Sequence, residues 1–179
     1  MPQVISERVP GYMSGSLTGL RPEEREATLG FYERIAAVAS KHGVDLYLPH
    51  QHSDPVQDKD LPPAAVDRMD RMRVAEAHLL IAEVSQPSAG VGIELEMSRA
   101  YGTNVILVAE EKALNKRRRD RVDVKILGIP QIRTIISYES QDDALLQLEK
   151  VFVEKGEELK MKGPLCQCQR DRKFFSKTS

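Results

Sequence analysis

His78-Leu79-Leu80-Ile81-Ala82-Glu83-Val84, running directly into Ser85-Gln86-Pro87-Ser88-Ala89-Gly90-Val91-Gly92-Ile93-Glu94-Leu95-Glu96, is the stretch on which the fold turns. The first part is an apolar run of strand length and reads as a buried strand. A Ser- and Gly-rich turn follows, and then a helix that opens with an acid. A strand, a tight turn with free backbone N–H groups and a helix N-terminus together make a place for an anionic ligand beside a carboxylate.

Working outward, the same alternation recurs. Val9-Pro10-Gly11-Tyr12-Met13 reads as a first strand, and Ser14 to Gly19 as a loop that exposes backbone donors. Pro22 fits the first turn of a helix that carries Phe31, Ile35, Val38 and Ala39 on one stripe and stops at Gly43. Asp45-Leu46-Tyr47-Leu48-Pro49 is a second strand, followed by a polar, proline-bounded loop from His50 to Pro63 of the kind that covers a ligand. Ala64 to Ala77 is helical and leads into the third strand; Gly92 to Tyr101 is the next helix, closed by Gly102. Asn104 to Ala109 and Arg133 to Ser137 are the fourth and fifth strands, and Ser140-Gln141-Asp142-Asp143 opens a long helix with Leu145, Leu148 and Phe152 on one face. After Gly156 the periodicity fades.

Strands alternating with helices imply an α/β fold with a doubly wound, five-stranded parallel sheet, of flavodoxin-like order 2-1-3-4-5. In that order a crevice opens between the first and third strands, where the two Ser/Gly loops meet. Residues 1–160 are expected to form one catalytic domain, and residues 161–179 a mobile charged tail.

Composition narrows the ligand. The chain of 179 residues has 26 Lys and Arg against 27 Asp and Glu, a formal charge of −1, and no Trp, so neither a basic field nor a stacking platform for nucleic acid is expected. The N-terminus lacks the marks of a secretory signal, and no apolar run approaches the roughly 18 residues of a membrane span, which points to a cytoplasmic protein, with the nucleus also open to it. Cys166 and Cys168 suit neither a disulfide framework nor a four-ligand zinc site and read as free thiols; the four histidines show no metal-ligand spacing, so no metal and no cofactor are expected.

Two loops at one crevice suit a phosphate, with Ser16 and Ser88 adding hydroxyls to backbone donors. Gly-Lys-Ser/Thr is absent, so a P-loop is excluded. Glu94, placed in the first turn of its helix, is expected to be kept ionised by the macrodipole, as suits a nucleophile. Asp70, on the preceding helix, could reach the same crevice, and cleavage of a glycosidic bond uses two carboxyl groups in different roles. Asp67 and Glu76 are alternatives that spacing cannot separate from it. Glu83 faces the crevice or caps a neighbour, and Glu96 is an exposed helix residue. His50 and His52 lie at the same sheet edge, and the basic run Lys116 to Arg121 is a solvated loop, a phosphate attractor or a subunit contact.

Gly11-Tyr12-Met13-Ser14-Gly15-Ser16, Asp70 leading into Ile81-Ala82-Glu83-Val84, and Pro87 to Leu95 together resemble the nucleoside 2-deoxyribosyltransferase superfamily, and within it most closely the 2'-deoxynucleoside 5'-phosphate N-hydrolases. The resemblance covers residues 9 to 153. It implies hydrolysis of the N-glycosidic bond of a nucleoside 5'-monophosphate, with base exchange as the alternative and a non-catalytic nucleotide sensor as a further one. It places the nucleophile on Glu94 and a supporting carboxylate on Asp70, with Tyr12 positioning the nucleophile and His50 near the base. Gly15, Ser16, Ser88 and Gly90 fall on the phosphate-binding positions. Transferases of unphosphorylated nucleosides resemble this motif but carry an acid where Ser88 stands; a serine hydroxyl can donate to a phosphate that a carboxylate would repel. A homodimer is implied as well. Thr18 stands where the hydrolases have arginine, with Arg21 nearby; His78 stands where they have aspartate; and the hydrolases' serine that reaches the neighbouring subunit's phosphate has no match here, Asp123 falling near its position.

Overall fold

The computed structural model describes residues 8–18, 20–54, 58, 60–114 and 122–163. Five strands form one sheet: β1 (Val9–Gly15), β2 (Val44–Tyr47), β3 (Leu79–Glu83), β4 (Asn104–Glu110) and β5 (Ile132–Tyr138). Every neighbouring pair is parallel and the order is β2-β1-β3-β4-β5, as expected. The chain reverses direction of travel across the sheet after β2, so the switch point lies between β1 and β3.

Helices α1 (Pro22–Lys41), α2 (Pro63–Glu76), α3 (Ala89–Tyr101) and α6 (Gln141–Lys160) cover the two faces, and short helices α4 (Glu111–Leu114) and α5 (Val124–Leu127) lie between β4 and β5. Strand residues alternate between two cores. Met13, Ile81, Ile106 and Ile136 pack with Phe31, Ile35, Leu148 and Phe152 of α1 and α6. Tyr12, Leu80, Val105 and Leu107 pack with Val74, Val91 and Leu95 of α2 and α3. Every residue of β3 is buried, which is why it reads as an unbroken apolar run rather than an alternation.

Several boundaries move. β1 continues past Met13 to Gly15, because pairing with β3 extends through Ser14↔Ala82 and Gly15↔Glu83. α3 starts at Ala89 rather than Gly92, since Ser88 caps it by accepting a hydrogen bond from the Val91 N–H at 3.4 Å. α6 runs through Gly156 to Lys160, and the expected tail begins with residues that are tied down: Asn104 Nδ2 donates to the carbonyl oxygens of Leu159 at 3.1 Å and Met161 at 2.6 Å, and the Gly163 N–H to that of Gly102 at 2.8 Å. Residues 164–179, which include both cysteines, and the basic run Lys116 to Arg121 lie outside the described residues.

Candidate active site

β1 brings two hydroxyls to the α2–α3 face of the sheet. Tyr12 and Ser14 are two residues apart on a strand, so both point the same way, and both are fully buried. They meet Glu94 of α3. The Tyr12 hydroxyl donates to Glu94 Oε1 at 2.7 Å, and the Ser14 hydroxyl donates to Oε2. Each oxygen of the carboxylate is thus held by a separate strand hydroxyl, which fixes its orientation.

The ionisation of Glu94 differs from expectation. With α3 beginning at Ala89, Glu94 sits in the second turn, where the macrodipole has faded. Burial dominates instead and pushes its carboxyl up to about 7; Ser14 and Tyr12 pull the other way, and the nearby Asp70 charge adds to the rise. Glu94 is therefore poised near neutrality rather than held firmly charged. Burial, reinforced by Glu94 and Asp70, raises the Tyr12 phenol and keeps it a proton donor.

Asp70, on α2, also faces Tyr12, and burial raises its carboxyl. Its Oδ1 is buried with no hydrogen-bond partner among the described residues, the single Tyr12 proton being directed at Glu94. The other carboxylates point elsewhere. Asp67 pairs with Arg71 at 2.8 Å and Glu76 with Arg73 at 3.1 Å, ion pairs whose side chains are about half exposed. Glu96 is exposed and paired with Arg99. Glu83 lies on the opposite face of the sheet, where the Tyr138 hydroxyl at 3.2 Å and the Ser85 N–H at 3.1 Å donate to it. It caps neighbours and does not enter the crevice.

The two loops flank this group at the C-terminal sheet edge. Gly15 is dictated by packing: a Cβ there would fall 2.1 Å from the Tyr32 hydroxyl. Ser16 follows, buried, with its carbonyl accepting from the same hydroxyl at 3.4 Å. Gly90 is different, because a Cβ would meet only Ser88 Oγ, at 3.7 Å, and one at Gly92 would meet nothing within 4 Å. Among the described residues nothing requires glycine in the first turn of α3, and there is space beside the helix N-terminus. A cavity of about 550 Å³ adjoins it, lined by Pro87, Ser88, Ala89, Gly92, Asp123 and Ile126. Asp123 is the N-cap of α5, accepting from the Lys125 N–H at 2.8 Å.

His50 stands apart from the Tyr12–Glu94 pair. It lies in the 3-10 turn Pro49–Gln51 with its side chain buried and its Nε2 3.7 Å from Glu33 Oε1 of α1; burial lowers its pKa. Arg21 is engaged at the start of α1, where Glu24 accepts from its backbone N–H at 3.1 Å. Sequence reasoning missed Ser14 and the aromatic wall beside it: Tyr47 stacks on Tyr12 with ring centroids 5.8 Å apart, and His52 stacks on Tyr47 at 4.6 Å. The period of two from Tyr12 would have found Ser14 had the strand been extended by two residues.

Among the described residues no group of three His, Cys, Asp or Glu side chains is placed to hold a metal ion, and no helix is long and apolar enough to cross a membrane.

No protein-family model matches this sequence. A protein of Thermofilum pendens assigned by name as 2'-deoxynucleoside 5'-phosphate N-hydrolase 1 is 31% identical over 121 residues, which cover 67% of this chain and 76% of that protein. Among solved structures, the CMP N-glycosidase BcmB of Clostridium botulinum superposes with a TM-score of 0.56 at 17% identity, over 79% of this chain and 98% of that one. A 2-deoxyribosyltransferase of Leishmania mexicana gives 0.50 at 16% identity, over 82% and 97%. At such identities the structural likeness is one of fold.

Proposed function

The chain belongs to the 2'-deoxynucleoside 5'-phosphate N-hydrolases, in the nucleoside 2-deoxyribosyltransferase superfamily, and from that premise we propose that it hydrolyses the N-glycosidic bond of (2'-deoxy)nucleoside 5'-monophosphates to free base and (deoxy)ribose 5-phosphate. The observation that carries this reading is the pair of hydroxyls, Tyr12 on Oε1 and Ser14 on Oε2, that orients Glu94 at the switch-point crevice.

In the first step ionised Glu94 attacks the anomeric carbon on the face opposite the base. The bond to the base nitrogen breaks, the departing base takes up a proton from solvent water, and Asp70, its carboxyl raised by burial, holds the sugar beside the nucleophile. In the second step water attacks the same carbon, its proton is taken up by a carboxylate, and Glu94 is released. The 5'-phosphate sits between the loops, on Gly15, Ser16, Ser88 and Gly90. Ser88 Oγ accepts from the α3 backbone, so its own proton is available to a phosphate oxygen, which favours nucleotides over nucleosides. Residues 1–160 supply this catalytic domain. The protein acts as a homodimer; α2 and α3 expose Met72, Ile93 and Tyr101 as apolar surface for the contact.

The test is incubation with a panel of ribo- and deoxyribonucleoside monophosphates while free base is followed. Full activity in Glu94→Ala would sink the mechanism. A labelled acceptor base present in the same reaction stays unincorporated under this reading, whereas base exchange would convert it to nucleotide.

A further inference from the structure

On the α2–α3 face of the sheet two buried polar atoms have no hydrogen-bond partner among the described residues. One is Asp70 Oδ1; the other is the hydroxyl of Tyr47, at the end of β2. Their placement follows from the fold. Tyr47 is the register partner of Tyr12 and stacks on it, so its ring lies on the same face of the sheet as the Tyr12–Glu94 pair. Arg73 lies one turn beyond Asp70 on the same side of α2, and its guanidinium carbon is 5.1 Å from the centre of the Tyr47 ring. The face of α2 that carries Asp70 thus rests over Tyr47. Leaving a buried hydroxyl and a buried carboxylate oxygen unpaired is unfavourable, and a site that retains both is shaped for a group that bonds to them.

Stereochemistry says which group. In a β-nucleotide the base stands on one face of the sugar ring and the ring hydroxyls at the 2' and 3' positions on the other. Attack opposite the base therefore comes from the hydroxyl face. Asp70 and Tyr47 flank Tyr12, which holds the attacking carboxylate, so they lie on the side of the ring that bears hydroxyls and away from the departing base. A hydroxyl donates to Asp70 and accepts from Tyr47, which matches the unpaired acceptor and unpaired donor in the crevice.

Given Glu94 as nucleophile, on which this depends, we propose that Tyr47 is a substrate-binding residue, its hydroxyl and Asp70 Oδ1 together taking the ring hydroxyls of the substrate's sugar. His52, stacked on the Tyr47 ring, links this subsite to the loop that follows β2.

Tyr47→Phe keeps the ring and both stacks and deletes one atom. Its kcat/KM would be compared with wild type on the ribo, 2'-deoxy and 2',3'-dideoxy 5'-monophosphates of whichever base wild type releases fastest. The expected result is a loss of about tenfold on the best of the hydroxyl-bearing substrates, no loss on the dideoxy substrate, and a melting temperature that does not fall, because the deleted hydroxyl has no hydrogen-bond partner among the described residues. An equal loss on all three substrates, no loss on any, or a lowered melting temperature with uniform loss would overturn the assignment. Failure of wild type to release base from any monophosphate would instead overturn the hydrolase reading, and this subsite with it.

Discussion

Glu94 is held by two donors that pull its carboxyl down and by a buried setting that pushes it up, and burial wins, leaving it near 7. Under the proposed mechanism Glu94 must be ionised, so kcat/KM should fall on the acid side with an apparent value near 7 that belongs to the Glu94–Asp70–Tyr12 group rather than to one residue. Ser14→Ala removes one donor to the charged form. The acid limb should then move to higher pH, with kcat/KM at pH 7 reduced about 10- to 100-fold. A pH–rate profile that keeps its acid limb in place would show that the Ser14 bond does not tune Glu94. Glu94→Gln should cost at least about 1,000-fold in kcat/KM, with the fold intact.

At the scale of elements, the two glycines of the crevice have different reasons and should respond differently. Gly15 ends β1 against the buried Tyr32 ring, whose Cζ would also lie within 2.3 Å of an added Cβ. Gly15→Ala should cost roughly 1–3 kcal/mol through overpacking, read as a lowered melting temperature. Gly90 opens α3 with space around it. Gly90→Ala should leave the melting temperature unchanged or slightly higher, since alanine is the better helix former, while the KM for a nucleoside monophosphate rises about tenfold or more as the methyl group meets the phosphate. Unchanged KM would remove Gly90 from the phosphate site. The strands themselves were legible: the apolar run of β3, the two Ser/Gly loops and the alternation of elements predict the sheet order. Their ends were less so, because Ser14 is a polar residue whose place in β1 comes from pairing with Ala82 rather than from its own propensity.

In the molecule as a whole, burial raises the carboxyls of Glu94, Asp70 and Glu83 together. Each binds its proton more tightly folded than unfolded, so its contribution to stability is fully present below the ordinary carboxylate range and is lost as pH rises through the native value. The melting temperature should therefore decline between about pH 5 and pH 8. Raising Glu94 from 4.5 to about 7 corresponds to roughly 3 kcal/mol, so Glu94→Gln should flatten part of that decline and melt above wild type at pH 8. A wild-type melting temperature that climbs over this interval would contradict the origin of the shift. Such a gain in stability on loss of the nucleophile is the expected mark of a carboxylate kept buried for chemistry rather than for folding.

The sequence by itself determined the sheet, its order and the crevice with Glu94 behind its loop, because periodicity, turn chemistry and the spacing of apolar runs are local properties written along the chain; spacing left Asp70 level with Asp67 and Glu76, and only the family resemblance named it. Tertiary structure decided what those residues experience. It selected Asp70 over Asp67 and Glu76 by turning one face of α2 toward Tyr12, and it sent Glu83 to the far side of the sheet. It also brought Ser14 to Glu94 and Tyr47 against Tyr12 from separate strands. Above all it replaced a helix-dipole carboxylate with a buried one near neutrality, since desolvation depends on neighbours distant in sequence, and no local pattern of residues encodes it.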